Sequence, residues 1–112
     1  MKLIVGMTGA TGAAIGVRVL RALKDLDVET HLVISRWARA TIELETPYSV
    51  QEVIALASKT YSERDQAAAI SSGSFGIDGM IVVPCSMKTL AAIRCGYGEG
   101  LIARAADVTL KE

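Results

Sequence analysis

The hydrophobic positions change period several times along the chain, and each change marks an element. Leu3-Ile4-Val5-Gly6-Met7 is a short apolar run closed by glycines, which predicts a buried strand. From Gly12 to Leu26 the spacing becomes helical: Ile15, Val19, Ala22 and Leu26 share one face, with Arg18, Arg21 and Asp25 elsewhere. Thr30 to Ile34 predicts a second strand and Arg36 to Leu44 a helix. Thr46-Pro47 interrupts that helix, because a residue before proline is driven out of the helical region. Ser49 and Glu52 have capping-box spacing, and Val50, Val53, Ile54 and Ala57 supply an apolar face, so another helix begins there. Residues 58 to 76 are small and polar, with a short helix over Asp65 to Ile70 and a loop at Ser71-Ser72-Gly73-Ser74. Met80-Ile81-Val82-Val83, closed by Pro84, is the third predicted strand. Met87 to Cys95 and Leu101 to Lys111 predict two more helices around a Gly96–Gly100 break.

Strands separated by helices make a parallel sheet with crossover connections. Near-continuous apolar strands fit burial on both faces. The expected order is 2-1-3, which places the first and third strands side by side. Three strands form a thin sheet, and no strand receives the last helix. The expectation is therefore the front part of a longer domain, or a surface covered by partner subunits.

Composition narrows the function classes. A chain of 112 residues supports one domain. Twelve basic residues balance twelve acidic ones, which argues against a nucleic-acid protein. A hydrophobic content of 51% argues against disorder. No apolar run approaches the roughly 18 residues that span a bilayer, and the N-terminus lacks a signal-type apolar region, so a soluble cytoplasmic protein is expected. Cys85, Cys95 and the single His31 do not have the spacing of a metal site, so no metal is expected. Free buried thiols, a structural His31 and core positions for Met80 and Met87 complete the expectation.

In an open α/β sheet, ligands bind beyond the carboxyl ends of the strands, where strand order reverses. Each predicted strand runs there into small or hydroxyl residues: Thr8-Gly9-Ala10-Thr11-Gly12, Ser35-Arg36, and Cys85-Ser86-Met87-Lys88-Thr89. Glycine-rich turns and helix N-termini favour an anion. A dinucleotide is disfavoured. Ile15 stands where a third glycine is needed, Ser35 where an acidic ribose ligand is expected, and Tyr48, Tyr61 and Tyr97 lack a lysine four residues on. A mononucleotide such as FMN needs one phosphate clamp and fits better.

Several blocks resemble the flavin prenyltransferases of the UbiX type: Thr8-Gly9-Ala10-Thr11-Gly12, Ser35 with Glu43-Leu44-Glu45-Thr46, Ile70-Ser71-Ser72-Gly73-Ser74-Phe75, Pro84-Cys85-Ser86-Met87-Lys88-Thr89-Leu90, and Arg104-Ala105-Ala106-Asp107-Val108 with Leu110-Lys111-Glu112. Ser35-Arg36-Trp37-Ala38 and Glu45-Thr46-Pro47-Tyr48 are most similar to the branch named phenylacrylic or phenolic acid decarboxylase subunits. The resemblance implies a three-layer Rossmann-like or flavodoxin-like FMN-binding domain over residues 1–112, incomplete at its C-terminus. It implies transfer of a dimethylallyl group from dimethylallyl phosphate to reduced FMN, without metal. The prenylated FMN would serve a UbiD-type decarboxylase.

By the same resemblance Gly9, Ala10, Thr11, Ser35, Ser86, Met87, Lys88 and Thr89 contact FMN. Glu45 and Ser86 act in catalysis, Glu45 by handling a proton, and Arg104 and Lys111 face the donor phosphate. The implied assembly is a homo-oligomer, a dodecamer of trimers. Taken alone, Glu45, Arg104 and Lys111 read as solvated charges, and Trp37 as either a pocket wall or an interface residue. Two other function classes stay open: a non-catalytic FMN-binding or assembly module, and a flavin-dependent decarboxylase of the cysteine-decarboxylase type. The latter would need a catalytic histidine and a P-A-S-A-N-T motif, neither of which the sequence has.

Overall fold

Strand β1 (Lys2–Met7) leads through a glycine turn into helix α1 (Ala13–Asp25), and β2 (Glu29–Ile34) leads through Ser35 into α2 (Arg36–Glu45). A short α3 (Val50–Ile54) precedes β3 (Lys59–Ser62). A 3-10 turn (Ala69–Ser71), β4 (Gly79–Val82), α4 (Met87–Cys95) and α5 (Leu101–Lys111) follow. This is a computed structural model, which describes residues 1–65, 68–72, 75–96 and 100–111. The expected loop at Ser71–Ser74 and the Gly96–Gly100 break lie partly outside those residues. The short helix expected over Asp65 to Ile70 also lies partly outside those residues, and a 3-10 turn covers Ala69–Ser71.

The sheet is parallel throughout, in the order β3-β2-β1-β4. Val5 pairs with Leu32 on one side and Ile81 on the other, so the expected adjacency of the first strand and the Met80 strand holds. The three-strand expectation was one short. Strand β3 is a four-residue edge in which only Tyr61 is buried, so it carries no apolar run to detect. Pairing creates it. Thr30 N–H donates to Ser58 Oγ at 2.9 Å and Ser58 N–H to Thr30 Oγ1 at 3.0 Å, which starts β3 beside β2.

Helices cover both faces. Val5, Met7, Leu32 and Ile34 pack against α1, α2 and α3 through Val17, Leu20, Ile42 and Val53. On the other face Ile4, Val33 and Tyr61 pack against α5 through Leu101, Ile102 and Ala105. Burying each large aliphatic side chain contributes roughly 1.5–3 kcal/mol.

The buried face of α1 differs from the expected one. Ala13, Gly16, Val17 and Leu20 are buried, whereas Ile15 and Leu26 are 59% and 72% exposed. The cause is close approach. A Cβ on Gly16 would lie 2.7 Å from Met7 Cε and 2.8 Å from the Val83 carbonyl oxygen, so only the glycine seam lets α1 reach the sheet. Apolar periodicity alone does not distinguish two stripes on one helix.

His31 is structural, as expected. It is buried in β2, with Nε2 at 2.6 Å from Glu29 and Nδ1 at 2.9 Å from the Tyr61 hydroxyl. A carboxylate only accepts, so Nε2 carries the proton of the bond to Glu29. The His31 hydrogen bond holds the Glu29 carboxyl below its ordinary range. Burial pushes the Tyr61 hydroxyl up.

Candidate functional site

Strand order reverses between β1 and β4, so the turns leaving these strands flank the crevice. Thr8 fastens them together. Its buried hydroxyl donates to the Pro84 carbonyl at 2.7 Å and accepts the Ser86 N–H at 2.7 Å. The Thr8 N–H also donates to Pro84 O at 3.1 Å. Thr8 was not among the expected site residues. Its signal is a hydroxyl directly after a buried strand, and its partners stand 76 and 78 residues away.

Two turns end in serine caps. Ser35 Oγ accepts the Ala38 N–H at 3.2 Å at the start of α2. Ser86 Oγ accepts the Thr89 N–H at 3.2 Å and donates to Thr89 Oγ1 at 3.0 Å, at the start of α4. Serine is favoured there because its oxygen satisfies a first-turn N–H that has no helical partner.

The first turn behaves differently. The Glu45 carboxylate accepts Gly12 N–H at 3.0 Å and Ala13 N–H at 3.2 Å, so the anion at the N-terminus of α1 is the chain's own. Gly9 serves packing as well. A Cβ there would lie 2.5 Å from Trp37 Cβ, so the glycine seats α2 against the first turn.

A cleft of about 1060 Å³ opens over these turns. Of the expected residues, Gly9, Ser35, Ser86, Lys88 and Thr89 line it. Ala10, Thr11 and Met87 do not, and Met87 is 78% exposed rather than a core residue. Met80, the other expected core methionine, is partly buried against the α5 face. Arg104 and Lys111 are not among the residues lining the cleft and share one partner: Asp107 lies 3.9 Å from the guanidinium and 3.1 Å from the ammonium. Trp37, Glu63, Arg64, Cys95 and Ile102 line the cleft without having been expected to, although Trp37 was open as a pocket wall.

Glu63 follows β3 and reaches α5. Its carbonyl accepts Leu101 N–H at 2.8 Å, and its carboxylate accepts Ile102 N–H at 3.3 Å. Burial raises the Glu63 carboxyl above its ordinary range, and the Ile102 hydrogen bond partly opposes this. The thiols are free, but the burial expected of them holds only in part: Cys85 is half-buried, with burial pushing its thiol up, and Cys95 is exposed in the cleft. Among the described residues no three His, Cys, Asp or Glu side chains gather as a metal site. No described helix is long and apolar enough to cross a membrane.

The cleft suits a phosphate-bearing small molecule. Its volume is at the upper end of the ~300–1,000 Å³ of such sites. The hydroxyls of Ser35 and Thr89, which keep a proton to donate, and two cations, Arg64 and Lys88, are available for a phosphate, and Trp37 and Ile102 for a planar ring. A parallel, doubly wound sheet with such a cleft at its switch point defines an α/β mononucleotide-binding class of protein.

The chain belongs to the Flavoprotein family, whose model matches residues 1–112. It is 68% identical to a probable UbiX-like flavin prenyltransferase of Escherichia coli O157:H7, over 100% of this chain and 57% of that protein. The chain thus spans little more than half the length of this relative. Two crystal structures superpose on it with a TM-score of 0.98. One is a dodecameric FMN-dependent UbiX-like decarboxylase from E. coli O157:H7, 68% identical over 100% of this chain and 61% of that one. The other is AnUbiX (PadA1) in complex with FMN and dimethylallyl pyrophosphate, 60% identical over 99% of this chain and 59% of that one.

Proposed function

We propose that the chain is the FMN-binding α/β domain of a flavin prenyltransferase, over residues 1–112. The observation that carries this reading is the hydroxyl- and cation-lined cleft at the β1–β4 switch point, in a chain 68% identical throughout to a UbiX-like relative. Reduced FMN supplies the nucleophilic ring that accepts the dimethylallyl group. Ser35, Ser86, Lys88 and Thr89 hold the flavin, with Gly9, Ala10, Thr11 and Met87 shaping the turns around them. Ser86 also orients reacting groups through its bonded Thr89 hydroxyl. Glu45 handles a proton from its place at the start of α1. Cationic groups and hydroxyls stabilise the departing phosphate by standing ready before the charge develops.

Arg104 and Lys111 belong in this reading to the donor phosphate, at a boundary between copies of the chain. The exposed apolar side chains Ile15, Leu26, Leu44, Met87 and Leu90 support a homo-oligomer, of which the dodecamer is the specific form proposed. The donor is dimethylallyl phosphate, the recipient of the product is a UbiD-type decarboxylase, and the compartment is the cytoplasm.

The test incubates the protein with reduced FMN and dimethylallyl phosphate, without added metal, and measures product mass. A prenylated FMN product supports the reading. Flavin binding without turnover would leave a non-catalytic module, and preference for NADPH over FMN would refute the flavin site. Glu45→Gln keeps an oxygen for Gly12 and Ala13, so flavin affinity should hold within about twofold. Turnover should fall by roughly 10²–10⁴ if Glu45 handles the proton.

A further inference from the structure

The cationic side chains among the described residues lining the cleft are Arg64 and Lys88. Arg64 lies just beyond β3 and lines the cleft. Its backbone is fixed: the Arg64 N–H donates to Ser62 Oγ at 3.3 Å, and Asp65 N–H to the Ser62 carbonyl at 3.0 Å. Its guanidinium is exposed and, among the described residues, has no carboxylate within salt-bridge distance. The adjacent carboxylate, Glu63, is turned to the Ile102 N–H at 3.3 Å and does not neutralise it. Arg104 and Lys111, by contrast, are held at Asp107 and are not among the residues lining the cleft. The cleft therefore presents a tethered arginine, without an ion-pair partner among the described residues, in a lining that also carries the hydroxyls of Ser35 and Thr89.

We propose that Arg64 is a phosphate ligand of this cleft, its guanidinium taking the phosphomonoester of the molecule bound there. A phosphomonoester carries about 1.5–2 negative charges near pH 7. The planar guanidinium fork meets two of its oxygens at once, which a lysine cannot do. Two sources share this chemistry, the ribityl phosphate of FMN and the phosphate of an allylic donor. The inference rests on the flavin reading for its choice of probes.

The experiment compares the unsubstituted protein with Arg64→Gln, Arg64→Lys and, as a charge control on exposed α1, Arg18→Gln. FMN and riboflavin are titrated by flavin fluorescence, and dimethylallyl phosphate is titrated calorimetrically into the FMN-loaded protein. If the flavin phosphate is the partner, Arg64→Gln weakens FMN about ten- to a hundredfold and leaves riboflavin within twofold. If the donor phosphate is the partner, FMN affinity holds and donor affinity falls by a similar factor. In either case Arg64→Lys recovers part of the loss and Arg18→Gln changes nothing. FMN, riboflavin and donor affinities all within twofold of the unsubstituted protein would overturn the role of Arg64 while leaving the flavin reading intact. Binding of none of the three probes by the unsubstituted protein would overturn both.

Discussion

Thr8→Val isolates the hydroxyl that joins the two turns of the crevice. Valine keeps the shape of threonine and removes one donor and one acceptor from a side chain that is 3% exposed. Two bonds are lost, to Pro84 O and from Ser86 N–H, both 2.7 Å. The Pro84 carbonyl keeps the Thr8 N–H at 3.1 Å, so the group left without its partner is the Ser86 N–H. Two hydrogen bonds contribute about 1 kcal/mol each, and an orphaned N–H adds a further ~1–3 kcal/mol, for a total of roughly 3–5 kcal/mol. With an m-value of about 2 kcal/mol/M in urea, the unfolding midpoint should fall by roughly 1.5–2.5 M. Thr8→Ser keeps both bonds and loses one methyl group, about 1 kcal/mol. The assay is urea unfolding followed by far-ultraviolet circular dichroism for the three proteins. If Thr8→Val costs no more than Thr8→Ser, the hydroxyl does not join the turns and the reasoning fails.

Gly9→Ala places a Cβ 2.5 Å from Trp37 Cβ, so it should cost about 1–3 kcal/mol and shift the emission of the chain's single tryptophan. An unchanged emission maximum with a cost below ~0.5 kcal/mol would show that the turn relaxes freely. Glu63 makes a pH prediction. Because its folded carboxyl is raised, the native state keeps a proton that the unfolded chain releases above about pH 4.3. The Glu63 contribution to stability is therefore lost as pH rises from that value through the folded one. Glu63→Gln removes this fall while its amide oxygen still accepts the Ile102 N–H, so melting temperature against pH should flatten over that window. A slope unchanged by the substitution would show that another group carries it.

Elements built from contacts within a turn or two were legible in the sequence. Helices over Met87–Cys95 and Leu101–Lys111 have the bounds that periodicity predicts, and Ser49–Glu52 forms the capping box its spacing suggests. The places of Ser35 and Ser86 in the lining of the cleft followed from the same local signals, because a hydroxyl after a strand is at once a helix cap and a lining residue of the crevice. What tertiary structure decided depends on partners that no window along the chain contains. Strand β3 exists because β2 offers an unpaired edge and Thr30 and Ser58 exchange hydrogen bonds 28 residues apart. The buried stripe of α1 was chosen by the clearance at Gly16, not by apolarity. Glu45 reaches the start of α1 across 33 residues, and Glu63 reaches the start of α5 across 39. Periodicity and capping involve neighbours about four residues away, so they survive in a sequence read alone. The placement of a carboxylate at a distant helix end, or of Arg64 in the cleft, is set only when the sheet closes and brings those ends together.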